Sequence, residues 1–127
     1  MERLDDPLTE GIIAAGIEVH RELGPGLLES TYEHCLCREM ELRGIPFRRQ
    51  VPIALEYKGS TLDCGYRIDL IVAERVVVEL KSVEKILPIH VAQVLTYLKL
   101  SQHSIGLLLN FHVAALTYGG RRVTLKF

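Results

Sequence analysis

The sequence predicts an α/β domain in which a mixed sheet is covered by helices. Three observations predict it. Apolar residues recur at helical spacing over two successive segments ahead of Gly44. From Ile45 onward the pattern changes to β-branched and apolar runs punctuated by glycine. A helical segment opening at Pro88 then separates those runs from one more apolar stretch. The element order is ααβββαββ, and helices flanking a run of strands in this way imply a layered α/β domain.

Each element has its own reason. In Leu8–Leu23, Ile12, Gly16, Val19 and Leu23, with Ile13 and Ile17, follow the helical period, and Gly24-Pro25-Gly26 ends it. A second helix is expected from Leu27 to Arg43, stopped by Gly44 and Pro46. Phe47–Tyr57 reads as the first strand, with a turn at Lys58-Gly59, and Thr61–Val72 as the second. Val76–Lys81, opening on three valines, is the third. Pro88 suits the first position of a helix, and Ile89–Leu100 continues it. Ser104–Phe111 fits a buried strand, and Tyr118-Gly119-Gly120 a turn into a last strand, Arg122–Phe127.

The chain has 127 residues, 48% of them apolar and 24% charged, which suits one globular domain spanning 1–127 with a real core. No apolar stretch approaches the ~18 residues needed to span a bilayer. Met1-Glu2-Arg3-Leu4-Asp5-Asp6 lacks the apolar region of a signal peptide, so a cytoplasmic protein is expected. The three cysteines, Cys35, Cys37 and Cys64, are an odd count and fit a reducing compartment. Cys35-x-Cys37 with His34 and Cys64 is poorly spaced for zinc, and the thiols read as small buried hydrophobes.

The informative segment is Ile68-Asp69-Leu70-Ile71-Val72 followed, after Ala73-Glu74-Arg75, by Val76-Val77-Val78-Glu79-Leu80-Lys81. Strand side chains alternate, so Val77, Glu79 and Lys81 share one face, opposite to Val76, Val78 and Leu80. With a three-residue turn, Val72 pairs with Val76 and Asp69 faces Glu79. A two-residue turn would put Asp69 opposite Val78 and disperse the cluster, so register decides the matter. Two opposed carboxylates in an apolar hairpin repel, and unpaired buried charge is costly. A divalent cation held by carboxylate oxygens and water removes that repulsion. A neighbouring lysine can orient water and stabilise developing negative charge. The plainer alternative is an exposed Glu79–Lys81 ion pair.

Two other groups join the candidates. Glu29, Tyr32, Leu36 and Met40 share one helical stripe, which would turn Glu29 toward the core; otherwise Glu29 is an N-terminal acid favoured by the helix dipole. His90, Gln93 and Tyr97 share another, either a solvated face or a set holding phosphate, water or Lys81. His20, ahead of the Gly24-Pro25-Gly26 turn, is either site-adjacent or a cap or core residue.

Gly26-Leu27-Leu28-Glu29-Ser30-Thr31-Tyr32, Asp69, Glu79-x-Lys81 and Gln93-x-x-x-Tyr97, in that order, resemble the GxxExxY protein family, a branch of the PD-(D/E)XK nuclease superfamily. The resemblance extends from about Ile12 to Arg122, through Val19-His20-Arg21-Glu22-Leu23-Gly24, Pro88-Ile89-His90 and Leu109-Asn110-Phe111. Ile68 stands before Asp69, where the superfamily's name has a proline. The resemblance implies a restriction-endonuclease-like αβββαβ core with an extra N-terminal helix and C-terminal strand. It implies Asp69 and Glu79 as ligands of Mg²⁺ or Mn²⁺, with the Leu80 carbonyl, and Glu29 as a ligand directly or through water. Lys81 would act on the attacking water, and Gln93 and Tyr97 would form the Q-x-x-x-Y motif.

Net charge is −1, which argues against a uniformly basic nucleic-acid coater. Residues 1–41 nevertheless hold three Lys and Arg against ten Asp and Glu, and residues 42–127 twelve against six. Phosphate binding needs local positive charge, and Arg43, Arg48, Arg49, Lys58, Arg67, Arg121 and Arg122 are candidates for it. The leading expectation is a metal-dependent nuclease acting on phosphodiester bonds, DNA ahead of RNA, and a homodimer would supply two active sites. A non-catalytic nucleic-acid-binding or assembly module on the same fold is the alternative. A hydrolase of small phosphoesters ranks last, since no Gly-rich phosphate loop of the P-loop kind occurs.

Overall fold

The computed structural model describes residues 6–114, 116 and 120–124. Helix α1 (Pro7–Leu23) opens on Asp6, whose side chain accepts the Leu8 N–H, with Pro7 at the first helical position. Helix α2 (Glu29–Leu42) starts two residues later than expected from the sequence. Leu27 and Leu28 stay outside it because the chain leaving the Gly24–Gly26 turn is held elsewhere: the Leu27 N–H donates to the Tyr32 hydroxyl, and the Leu27 carbonyl accepts from Ser82 Oγ.

The two long strands expected over 47–57 and 61–72 are each split. Strands β1 (Phe47–Pro52) and β4 (Arg67–Val72) belong to the main sheet, whereas β2 (Leu55–Tyr57) and β3 (Ser60–Leu62) form a separate two-stranded hairpin. Pro52 ends β1, having no N–H to offer. An Asx turn, with the Gly65 N–H on Asp63 Oδ1 and Gly65 at φ 77°, separates β3 from β4. The other elements follow the expected order: β5 (Val76–Lys81), α3 (Pro88–Ser101), β6 (Ile105–Asn110) and β7 (Gly120–Thr124). The last strand begins earlier than expected. Tyr118 and Gly119 of the expected turn, and residues 125–127 of the expected strand, lie outside the described residues.

The five-stranded sheet runs β1-β4-β5-β6-β7, with β5 and β6 parallel and the other neighbours antiparallel. It is buried on both faces. One face packs Leu70, Val72, Val76, Val78, Leu80, Leu107 and Leu109 against α1 and α2. The other packs Ile71, Val77 and Leu108 against Val94, Tyr97 and Leu98 of α3. Burying a side chain of this size is worth ~1.5–3 kcal/mol, so the sandwich of helices and sheet carries the stability. The layers also differ in charge. Helices α1 and α2 hold seven acids and two arginines, and α3 holds one lysine and no acid.

Candidate active site

The β4–β5 hairpin sets the geometry. Val72 pairs with Val76, Ile71 with Val77 and Leu70 with Val78, so the connection is the three-residue Ala73–Arg75 and Asp69 comes level with Glu79. Ala73 and Glu74 both lie at positive φ, 51° and 55°, which lets this short connection close. The ladder stops at Leu70 and Val78. Beyond it side chains replace main-chain partners: Asp69 Oδ2 accepts the Leu80 N–H at 2.9 Å, and Glu79 Oε2 accepts the Asp69 N–H at 3.2 Å. Two carboxylates therefore occupy the gap where the strands part. In a strand the N–H and C=O of one residue point to the same side. The Leu80 carbonyl thus faces the same gap as the N–H held by Asp69.

Glu79 is only 4% exposed. Burial first, and then the hydrogen bond and charge of Asp69, push its carboxyl up from 4.5 to about 10. Lys81, two residues on and half-buried, donates from Nζ to Gln93 Oε1 at 3.0 Å. Gln93 Nε2 in turn donates to the Tyr97 hydroxyl at 3.3 Å. Tyr97 is buried, and burial followed by the nearby Glu79 charge raises its phenol. Helix α3 thus brings the two sequence-predicted residues of the Q-x-x-x-Y motif onto the lysine in a line. Lys81, Ile89, His90 and Gln93 line a cleft of about 400 Å³ beside them.

Other candidates sit elsewhere. Glu29 is exposed, which corrects the core-facing placement: it is the first residue of α2, where the stripe of Tyr32, Leu36 and Met40 has already run past the core. Its Oε1 accepts the Ser82 N–H at 3.0 Å, tying α2 to the end of β5. Tyr32 is fully buried against Phe111, and its hydroxyl holds the Gly24–Leu27 turn. His20 is buried, 2.8 Å from the Val113 carbonyl through Nε2. His90 caps α3, its Nδ1 accepting the Leu87 N–H at 2.9 Å.

The basic residues scatter. Arg48 forms a two-pronged pair with Glu74 at the hairpin turn, the end away from Asp69. Arg49 is held by Glu33. Lys58 lies over the Tyr57 ring in the β2–β3 turn. Arg67 is exposed at the start of β4, two residues before Asp69. Arg121 pairs with Leu108, which pairs with Glu79, so Arg121 shares the row and face of Glu79 two strands away, ~10 Å. Arg122 is half-buried, and its Nε has no hydrogen-bond partner among the described residues.

Three residues near the site were not singled out from the sequence. Glu33 is buried, and Gln50 Nε2 lies 2.6 Å from Glu33 Oε1 and 3.4 Å from Asp69 Oδ1. Tyr66, half exposed, sets its ring edge-on to Tyr97 with centroids 6.4 Å apart. Glu33 was legible: Glu33, Cys37 and Met40 fall at i, i+4 and i+7 on the buried side of α2. Nothing in the sequence signals the positive φ of Gln50 that aims it inward.

The family model for the PD-(D/E)XK nuclease superfamily matches residues 6–123. The chain belongs to the PD-(D/E)XK nuclease superfamily. Its mixed α/β architecture, a five-stranded mixed sheet with flanking helices, is consistent with a restriction-endonuclease-like fold. The comparisons with curated proteins and with solved structures gave no match.

Nucleases of this superfamily typically use divalent metals, and the donors of this PD-(D/E)XK chain fit such an ion. Asp69, Glu79 and the Leu80 carbonyl are all oxygens, the chemistry Mg²⁺ and Mn²⁺ take with retained water. Among the described residues no group of three or more His, Cys, Asp and Glu side chains converges. A cation would rest on two carboxylates, the main chain and water. No helix among the described residues is long and apolar enough to cross a membrane.

Proposed function

We propose that this PD-(D/E)XK chain is a divalent-metal-dependent nuclease that hydrolyses phosphodiester bonds, with DNA as its substrate, and that it forms its site within one domain. One observation carries the reading: Asp69 and Glu79 meet in a gap between strands that contains main-chain groups and, among the described residues, no basic side chain bonded to either. Carboxylates left in that state suit a cation better than an ion pair. The Gly26–Tyr32 segment supports assignment to the GxxExxY branch.

Mg²⁺ or Mn²⁺ bound there would polarise the phosphate and lower the pKa of a coordinated water. The residues do the rest. Asp69 and an ionised Glu79 would hold the ion. Lys81, oriented by Gln93 and Tyr97, positions the attacking water through Nζ and stabilises charge gathering on the phosphate oxygens. Glu29, bonded to the Ser82 N–H next to Lys81, contributes through water. Arg67 and Arg121 flank the site and contact backbone phosphates, with Arg122 and Lys58 further out, whereas Arg48 and Arg49 are held by Glu74 and Glu33. A second copy would present a second site to the opposite strand. No observation favours the non-catalytic module, because the acids and the lysine are all in place.

The test is cleavage of single- and double-stranded DNA and RNA with Mg²⁺ or Mn²⁺, beside Asp69→Ala and Lys81→Ala. The wild type is expected to cleave and both variants to fall at least 100-fold. Equal residual cleavage by all three proteins sinks the proposal.

A further inference from the structure

Gln50 and Asp69 come level in the β1–β4 ladder, since Arg49 pairs with Leu70 and Val51 with Ile68. They form no ladder pair of their own. Gln50 instead takes φ 51°, a left-handed conformation that residues other than glycine seldom adopt. That turn of the backbone sends its side chain toward the gap. The two hydrogens of Nε2 then serve two carboxylates: Glu33 Oε1 at 2.6 Å and Asp69 Oδ1, a longer contact, at 3.4 Å.

Glu33 completes the arrangement from helix α2. It is 5% exposed, and its second oxygen receives Arg49 through Nε at 3.1 Å and Nη2 at 2.8 Å. Arg49 is the neighbour of Gln50 and two residues from the strand position facing Ile68. With Arg49 balancing its charge, Glu33 anchors the Gln50 amide through Oε1, and Gln50 offers Asp69 a neutral donor that orients it without neutralising it. With Oδ2 on the Leu80 N–H and Oδ1 on Gln50, both oxygens of Asp69 are held.

We infer that Gln50 and Glu33 are positioning residues for Asp69: Gln50 orients its carboxylate toward the metal gap, and Glu33 anchors the Gln50 amide that does so. This rests on the metal reading of the Asp69–Glu79 gap, and goes beyond it by naming what prepares the gap. Partners that orient metal-ligating groups typically govern affinity by ~10–100-fold. Their backbone setting supplies a readout that a purely structural role would not move. Glycine at position 50 accommodates the positive φ, which offsets the lost bond to Glu33, so folding is retained while positioning is lost.

The experiment is calorimetric titration of the full chain with MnCl₂, alongside thermal melts, for wild type, Asp69→Ala, Gln50→Gly, Glu33→Gln and the double variant Gln50→Gly/Glu33→Gln. The wild type is expected to bind Mn²⁺ and Asp69→Ala to lose binding. Gln50→Gly is expected to melt close to wild type yet bind ~10-fold more weakly. Glu33→Gln should weaken binding similarly, and the double variant less than the product of the singles, because the two act on one carboxylate. Wild-type affinity in Gln50→Gly, with Asp69→Ala inactive in binding, overturns the inference and leaves the metal reading standing. No Mn²⁺ binding by the wild type overturns both.

Discussion

The buried carboxyl of Glu79 would make cation binding there a proton-release reaction. In the metal-free protein it is pushed up to about 10 from its ordinary 4.5, by burial first and by Asp69 second. At pH 7, three units below that value, about one molecule in a thousand carries it ionised. A cation ligated by Glu79 must displace the proton. The apparent affinity is therefore expected to rise about tenfold per pH unit across the neutral range and to level off near pH 10, a span of about 4 kcal/mol from pH 7. The sign for stability is the reverse. A raised carboxyl contributes fully to metal-free stability below 4.5, and that contribution is lost as pH rises through about 10. Calorimetric titration with Ca²⁺, which stays soluble at alkaline pH, in two buffers of different ionisation heat counts the protons directly. One proton released per ion near neutrality is expected. Glu79→Gln, neutral and of the same shape, should keep the metal-free melting temperature at pH 7 and lose binding. Affinity independent of pH, with no buffer-dependent heat, would refute the reasoning.

Gly106 of β6 lies beneath α3, and an added Cβ would stand 2.7 Å from Val94 Cγ1 and 3.5 Å from both Leu98 methyls. Gly106→Ala should therefore destabilise by ~1–3 kcal/mol in a denaturant melt through overpacking, and an unchanged midpoint would show that α3 gives way freely. Native alkylation followed by mass mapping should label exposed Cys64 and spare Cys37, which is buried and whose thiol is pushed up to about 11 by burial and then by Glu33. Equal labelling of the two would contradict the packing of α2.

Much of the site was legible because strand alternation and hairpin register are arithmetic. Val77, Glu79 and Lys81 fall on one face whatever surrounds them, and the three residues Ala73–Arg75 bring Asp69 level with Glu79. The element order was legible for the same reason. What escaped depends on tertiary placement. The split of the long strands follows from Pro52 and the turn at Asp63–Gly65, which pattern alone does not weigh against an otherwise continuous run. Glu29 matched a helical stripe, but a stripe does not say where the core ends, and α2 enters it one turn later at Tyr32 and Glu33. Gln50 is invisible in sequence because its role comes from a left-handed backbone angle. Arg48 and Arg49 looked free as charges, yet each has an acid across a strand or a layer to hold it.

The unequal charge of the two helical layers acts on encounter rather than on contact. Seven acids and two arginines cover one side of the sheet, and the other side carries α3 with a single lysine and no acid. A molecule so built is a dipole whose moment its near-zero net charge conceals. Approaching a polyanion, it experiences a torque before it experiences attraction, and swings the acidic layer outward. The rotation weakens as salt shortens the Debye length, ~10 Å at 0.1 M. Orientation would then fade with added salt, although a net charge of −1 on its own predicts only weak repulsion from a polyanion.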